Sequence, residues 1–188
     1  MLANIALNGL DWQLHDAGFR FVRYADDFVV LCKSQAQVQE AHALVQQFLD
    51  YIGLTLSAEK TKMTRFREGF SFLGFTITAR SVTMRAKAVE KYKAKIRELT
   101  PRHHNLDCEV VAKVNAVIRG TANYFATSFS RCRHRFCVLD KWLRMRIRAM
   151  KFKRKWQTDN RRLRWTHFRR LGFIFLSDAL VPPAVEPT

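Results

Sequence analysis

The sequence predicts an α+β fold in two parts. A β-hairpin, a helix and antiparallel strands fill residues 1–85, and an all-helical region runs from 86 to 176. Three observations predict it. Apolar and β-branched residues cluster in short runs around residues 19–31 and 70–84, whereas from Lys87 they recur at helical spacing. Charge changes with the pattern: residues 1–79 hold 7 Lys/Arg against 8 Asp/Glu, and residues 80–188 hold 26 against 8. Gly53, Gly69, Pro101 and Gly172 punctuate the chain where these runs end.

In order, MLANIALNGLDWQL carries apolar residues at 2, 5, 6 and 10, a helical spacing that starts without a capping signal. FVRYADDFVVLCK reads as two strands turning at Asp26-Asp27. Ser34 caps a helix through QAQVQEAHALVQQFLDYIG, with Val38, Ala41, Val45, Phe48, Leu49 and Ile52 on one face and Gly53 as its stop. LTLSAEKTKMTRF alternates as strand, loop, strand. Glu68-Gly69 turns the chain into FSFLGFTITA, and Arg80-Ser81 turns it into VTM. AKAVEKYKAKIREL is a helix stopped by Pro101. CEVVAKVNAVIRGTANYFATSF is a second helical stretch in which Gly120 is a candidate break. HRFCVLDKWLRMRIRAMKFKRKW is a third and NRRLRWTHFRRLG a fourth. From residue 177 the proline-bearing VPPAVEPT end has the composition of a disordered tail.

A hydrophobic content of 48% suits a globular core. Cys32, Cys108, Cys132 and Cys137 are scattered without Cys-x-x-Cys spacing. Cys132, His134 and Cys137 lack a fourth ligand at zinc-site spacing. The N-terminus has no basic leader, and its apolar stretch is broken by Asn4, Asn8 and Asp11. No window reaches the ~18 apolar residues of a membrane span. The expectation is a soluble, cytoplasmic protein of bacterial type with no membrane partner.

Two features carry chemistry. Asp26 and Asp27 set like charges side by side between apolar runs. Asp is common in turns, and adjacent carboxylates also suit Mg²⁺, which takes oxygen ligands and shares them with phosphates. The residues alone leave both readings open. The second feature is the basic half. From Arg131 to Arg170 there are 16 Lys/Arg and two acids, Asp140 and Asp159, interleaved with Trp142, Phe152, Trp156, Trp165 and Phe168. A solvated bundle with an aromatic core explains the tryptophans. Such uncompensated charge destabilises a free fold, so nucleic acid is the economical partner.

Taken together the motifs resemble the C-terminal part of a group II intron-encoded reverse transcriptase/maturase. LANIALNGLD (2–11), YADD (24–27), GLTLSAEKTKMTRF (53–66) and FSFLGFTI (70–77) are similar to successive palm motifs. VNAVIRGTANYF (114–125) and LDKWLRMRIR (139–148) resemble the maturase-specific domain. The resemblance implies a partial palm over 1–85 and a thumb and maturase region over 86–176. It implies Asp26 and Asp27 as Mg²⁺ ligands and catalytic residues, with Tyr24 and Ala25 near a primer end. Lys60 would assist the departing pyrophosphate, a surface salt bridge being its alternative role. Phe72, Leu73 and Gly74 would grip the primer. Group II intron RNA would meet Arg119, Asn123, Arg144, Arg146, Lys151, Arg154 and Lys155, with Tyr124 a candidate contact better suited to core packing.

There are departures from the family pattern. A third catalytic aspartate and the fingers belong upstream of the position matching Leu2, and neither Asp11 nor Asp16 fits that role. Thr121 stands where a Trp usually precedes Ala-Asn-Tyr, and no Cys-rich endonuclease region follows. The expectation is therefore a truncated polymerase without activity alone, with DNA target or primer and a separate N-terminal part as partners of the intact enzyme. The alternative is a stand-alone RNA-binding splicing factor with a dead palm remnant.

Overall fold

The computed structural model describes residues 2–57, 59–154 and 159–180, and the chain forms two compact units, Met1–Phe72 and Leu73–Thr188.

In the first unit the opening helix is split at Leu7 into α1 (Leu2–Ala6) and α2 (Asn8–Asp16). Gly18, at φ 76°, ends α2 and lets the Phe19 amide donate to the Leu14 carbonyl at 2.9 Å, which aims the chain into the sheet. Strands β1 (Arg20–Tyr24) and β2 (Asp27–Leu31) pair antiparallel. Helix α3 (Gln35–Tyr51) starts as the sequence predicts: Ser34 Oγ accepts from the Gln37 amide at 3.2 Å, and Gln37 Oε1 accepts from the Lys33 amide at 2.8 Å. Leu7, Leu10, Leu14 and Phe19 bury against Ala41, Val45, Phe48 and Leu49. Gly9 permits this packing, since a Cβ there would lie 2.9 Å from the Phe48 ring. The unit ends with β3 (Phe70–Phe72).

Strands β4 (Phe75–Ile77) and β5 (Val82–Met84) open the second unit as an antiparallel hairpin, with Phe75 opposite Met84. Four main helical elements follow: α4 (Ala86–Leu99), α5 (Cys108–Phe125), α6 (Arg133–Lys151), and the short α7 (Asp159–Arg162) and α8 (Trp165–Arg170) as a pair. Asp107 caps α5 by accepting from the Val110 amide at 2.8 Å. Ile96, Val114, Ile118, Phe136, Leu139, Leu143, Ile147 and Phe168 form the core. Asn115 ties the segment that follows α8 to α5. Its Nδ2 donates to the Gly172 carbonyl at 2.7 Å and its Oδ1 accepts from the Ile174 amide at 3.1 Å.

Several expectations are corrected. Among the described residues no strand forms in 54–66; that segment is turn and irregular chain, and Ala58 lies outside the described residues. Gly120 does not break α5, because helix continues on both sides and its position faces open space. The fourth helix divides at Leu163–Arg164, and α6 stops at Lys151. Lys155 and Trp156 lie outside the described residues. The expectation of a tail from 177 does not hold for 177–180, which are described. Leu176–Ala179 form a 3-10 turn, and the Ser177 amide donates to Asp140 Oδ2 at 3.0 Å, while 181–188 lie outside the described residues. No described helix is long and apolar enough to cross a membrane.

Candidate metal-binding hairpin and nucleic-acid interface

The hairpin register ends with Tyr24 opposite Asp27, so its two-residue loop is Ala25-Asp26, one residue earlier than the sequence suggests. Ala25 takes φ 55°, a left-handed conformation that costs a non-glycine residue about 1–2 kcal/mol. Arg23 holds it there. Its Nη1 donates to the Ala25 carbonyl at 3.0 Å and to Asn4 Oδ1 at 2.9 Å. Its Nε donates to Asp11 Oδ1 at 2.8 Å, while Nη2 pairs with Asp11 Oδ2. The bond to Asp11 raises the Arg23 pKa further and fixes its charge. The Asp26 and Asp27 carboxylates are exposed and have no hydrogen-bonded or ion-paired partner among the described residues. Lone oxygens on a braced loop fit a hard divalent cation that completes its shell with water or phosphate.

The Asp11–Arg23–Asn4 brace escaped the sequence reading, which placed Asp11 on a helix and gave it no task. The i, i+2 step from Arg23 to the Ala25 carbonyl is the local signal that could have found it. Replacing Arg23 with alanine is expected to cost roughly 1–3 kcal/mol, the worth of hydrogen bonds to a charged group. Hydrogen exchange at Ala25–Phe28 should rise, with α3 amides little changed. Exchange rising equally in both places would deny the brace its local role.

The turn after β3 is also built with care. Leu73 and Gly74 have φ 46° and 79°. The Tyr124 hydroxyl donates to the Leu73 carbonyl at 2.8 Å, and the Gly74 carbonyl accepts from the Arg85 amide at 2.9 Å. The Tyr124 ring stacks on Phe75 with centroids 5.8 Å apart. Tyr124 is 50% exposed, so it pins this turn from the surface instead of filling the core. Phe72 is half-buried at the end of β3, and Lys60 is exposed in a turn with no ion-pair partner among the described residues.

The cations named from the sequence divide into two sets. Arg119 and Asn123 are exposed one helical turn apart on α5, and Lys151 is exposed at the end of α6. Arg144, Arg146 and Arg154 are engaged, and Lys155 lies outside the described residues. The Arg144 guanidinium lies 5.1 Å from the Trp165 ring centroid and 5.6 Å from that of Phe175, and burial lowers its pKa. Arg146 is bonded to Thr100. Arg154 pairs with the buried Asp159 at 3.2 Å. The second buried acid, Asp140, accepts from the Leu176 and Ser177 amides, each at 3.0 Å. Burial pushes its carboxyl up from the ordinary value, and those bonds and nearby Arg144 partly offset the push.

Comparison with known proteins adds two matched regions. Residues 1–77 match the family "Reverse transcriptase (RNA-dependent DNA polymerase)", and residues 89–172 match "Group II intron, maturase-specific domain". The chain is also 31% identical to the "Uncharacterized 91 kDa protein in cob intron" of Schizosaccharomyces pombe, over 63% of its own length. It spans only 18% of that relative.

Proposed function

We propose that this chain, which belongs to the group II intron-encoded reverse transcriptase/maturase family, binds group II intron RNA through its helical unit and carries the metal-ligating hairpin of a reverse transcriptase palm. Residues 1–85 are then the C-terminal part of the palm, and 86–176 the thumb and maturase-specific helices. One observation carries the reading: the two matched regions follow each other in one chain, the first bearing free carboxylates and the second a large excess of cations.

Reverse transcription is a nucleotidyl transfer that uses divalent metal. Of such cations Mg²⁺ suits Asp26 and Asp27, whose free oxygens supply part of an oxygen shell. When bound, it supplies Lewis-acid stabilisation of charge on phosphate oxygens. The chain's own residues orient and bind. Arg23 fixes the loop that presents Asp26. Phe72, Leu73 and Gly74 lie along a primer strand, and Lys60 serves the departing pyrophosphate. Arg119, Asn123, Arg144, Arg146, Lys151, Arg154 and Lys155 serve RNA contact, and of these Arg119, Asn123 and Lys151 are exposed.

Binding to an intron RNA fragment should weaken steeply with salt, the log–log slope changing by about −0.7 to −0.9 for each phosphate contacted. Asp26→Asn should leave that affinity unchanged. Affinity that ignores salt would remove the reading.

A further inference from the structure

The end of α4 and the middle of α6 meet at a corner where three arginines gather with little acid to balance them. Arg146 is the fixed member. Its Nε donates to Thr100 Oγ1 at 3.0 Å, and its Nη2 donates to the Thr100 carbonyl at 2.8 Å and lies 3.5 Å from the Arg97 carbonyl. Thr100 is fully buried, and its hydroxyl is committed to the Ile96 carbonyl at 2.6 Å. The guanidinium is therefore locked in plane and direction. Its Nη1 has no partner among the described residues.

Capping the carbonyl end of α4 explains one positive charge. It does not explain the others. Burial disfavours the charge on Arg146, and Arg102 and Arg97 disfavour it further. Arg97 lies over the Trp142 ring, 5.5 Å from its centroid. Its ion-pair partner is Glu90 at 3.9 Å, a carboxylate that Lys93 already holds at 2.9 Å. Arg102 is exposed and has no ion-pair partner among the described residues. On the far side Lys153 Nζ donates to the His104 carbonyl, adding a cation to the same loop. A desolvated, oriented guanidinium with a free edge, flanked by like charges, is the arrangement that an anion with several acceptor oxygens relieves.

We propose that this corner is a binding site for a phosphodiester group, with Arg146 Nη1, Arg97 and Arg102 donating to its non-bridging oxygens. The source of that phosphate is RNA, which rests on the function proposed above. The site itself rests on the corner's geometry. Free phosphate shares the chemistry, so the test includes both.

The experiment uses the whole chain, a short oligoribonucleotide and inorganic phosphate. It compares Arg97→Gln/Arg102→Gln with Lys87→Gln/Lys91→Gln, an equal loss of charge at exposed positions on α4. It adds Arg146→Lys, which keeps charge but loses the planar fork. The corner double variant is expected to lose about tenfold or more in RNA affinity and to flatten the salt slope by roughly 0.7, the share of one phosphate contact. Arg146→Lys should lose several-fold, and the Lys87/Lys91 control less than either. A corner variant no weaker than that control overturns the site. The Arg146 Nε–Hε resonance provides the second readout, expected to shift with either ligand. If RNA does not bind but phosphate shifts this resonance, the site stands and the RNA reading fails. If neither ligand shifts it, the site is refuted.

Discussion

Replacing Asp140 with alanine is expected to destabilise the helical unit by about 3–5 kcal/mol, from two amides left without acceptors at roughly 1–3 kcal/mol each and the loss of a partner for Arg144. The amides are those of Leu176, fully buried, and Ser177, both bonded to Asp140 at 3.0 Å. Without them the 3-10 turn at Leu176–Ala179 loses its tie to α6, and the aromatic stack of Trp165 on Phe175, with centroids 4.2 Å apart, loses its support. Asp140→Asn keeps one acceptor oxygen and should lose less. The pH dependence separates electrostatics from packing. Burial raises the Asp140 carboxyl above its ordinary value in the folded state. The pH-dependent part of its contribution is therefore fully present below the unfolded value, about 3.9, and is lost as pH rises through the folded one. The Asn variant should lack that decline in a denaturation series. An Asn variant that declines as steeply as the parent would place the effect on another group.

The second large effect concerns chemistry. In a preparation competent for RNA-templated primer extension, Asp26→Asn is expected to slow synthesis by about 10³-fold or more, since metal-assisted charge stabilisation is worth several kcal/mol. Because Asp26 is exposed and has no partner among the described residues, melting temperature and RNA affinity should stay the same. Asp27→Asn should likewise spare both. Unchanged extension would remove the metal role. A large fall in stability alongside lost extension would make the residue structural.

What the sequence made legible is local. Runs of apolar and β-branched residues specified the hairpin, Ser34 specified the cap of α3, and Gly53 and Gly172 took the positive φ that chain reversal needs. The Asp26-Asp27 pair was visible as an anomaly of charge within a strand. What stayed hidden depends on residues far apart in sequence. Alternation in 54–66 suggested strands, yet a strand needs a partner and none forms there among the described residues. Arg23 meets Asp11 across 12 positions, and Asp140 meets Ser177 across 37. The resemblance named Arg144 for RNA contact, and nothing local in the sequence shows that its guanidinium lies over the Trp165 indole. Tyr124 read as core, but its hydroxyl holds a backbone turn 51 residues upstream.

The most direct measurement is a competition at physiological salt between a group II intron RNA fragment and an unrelated structured RNA of equal length. The account predicts at least about tenfold preference for the intron RNA, a difference of some 1.4 kcal/mol, retained in Asp26→Asn. Equal affinity for the two RNAs would contradict it, leaving the helical unit a general polycation.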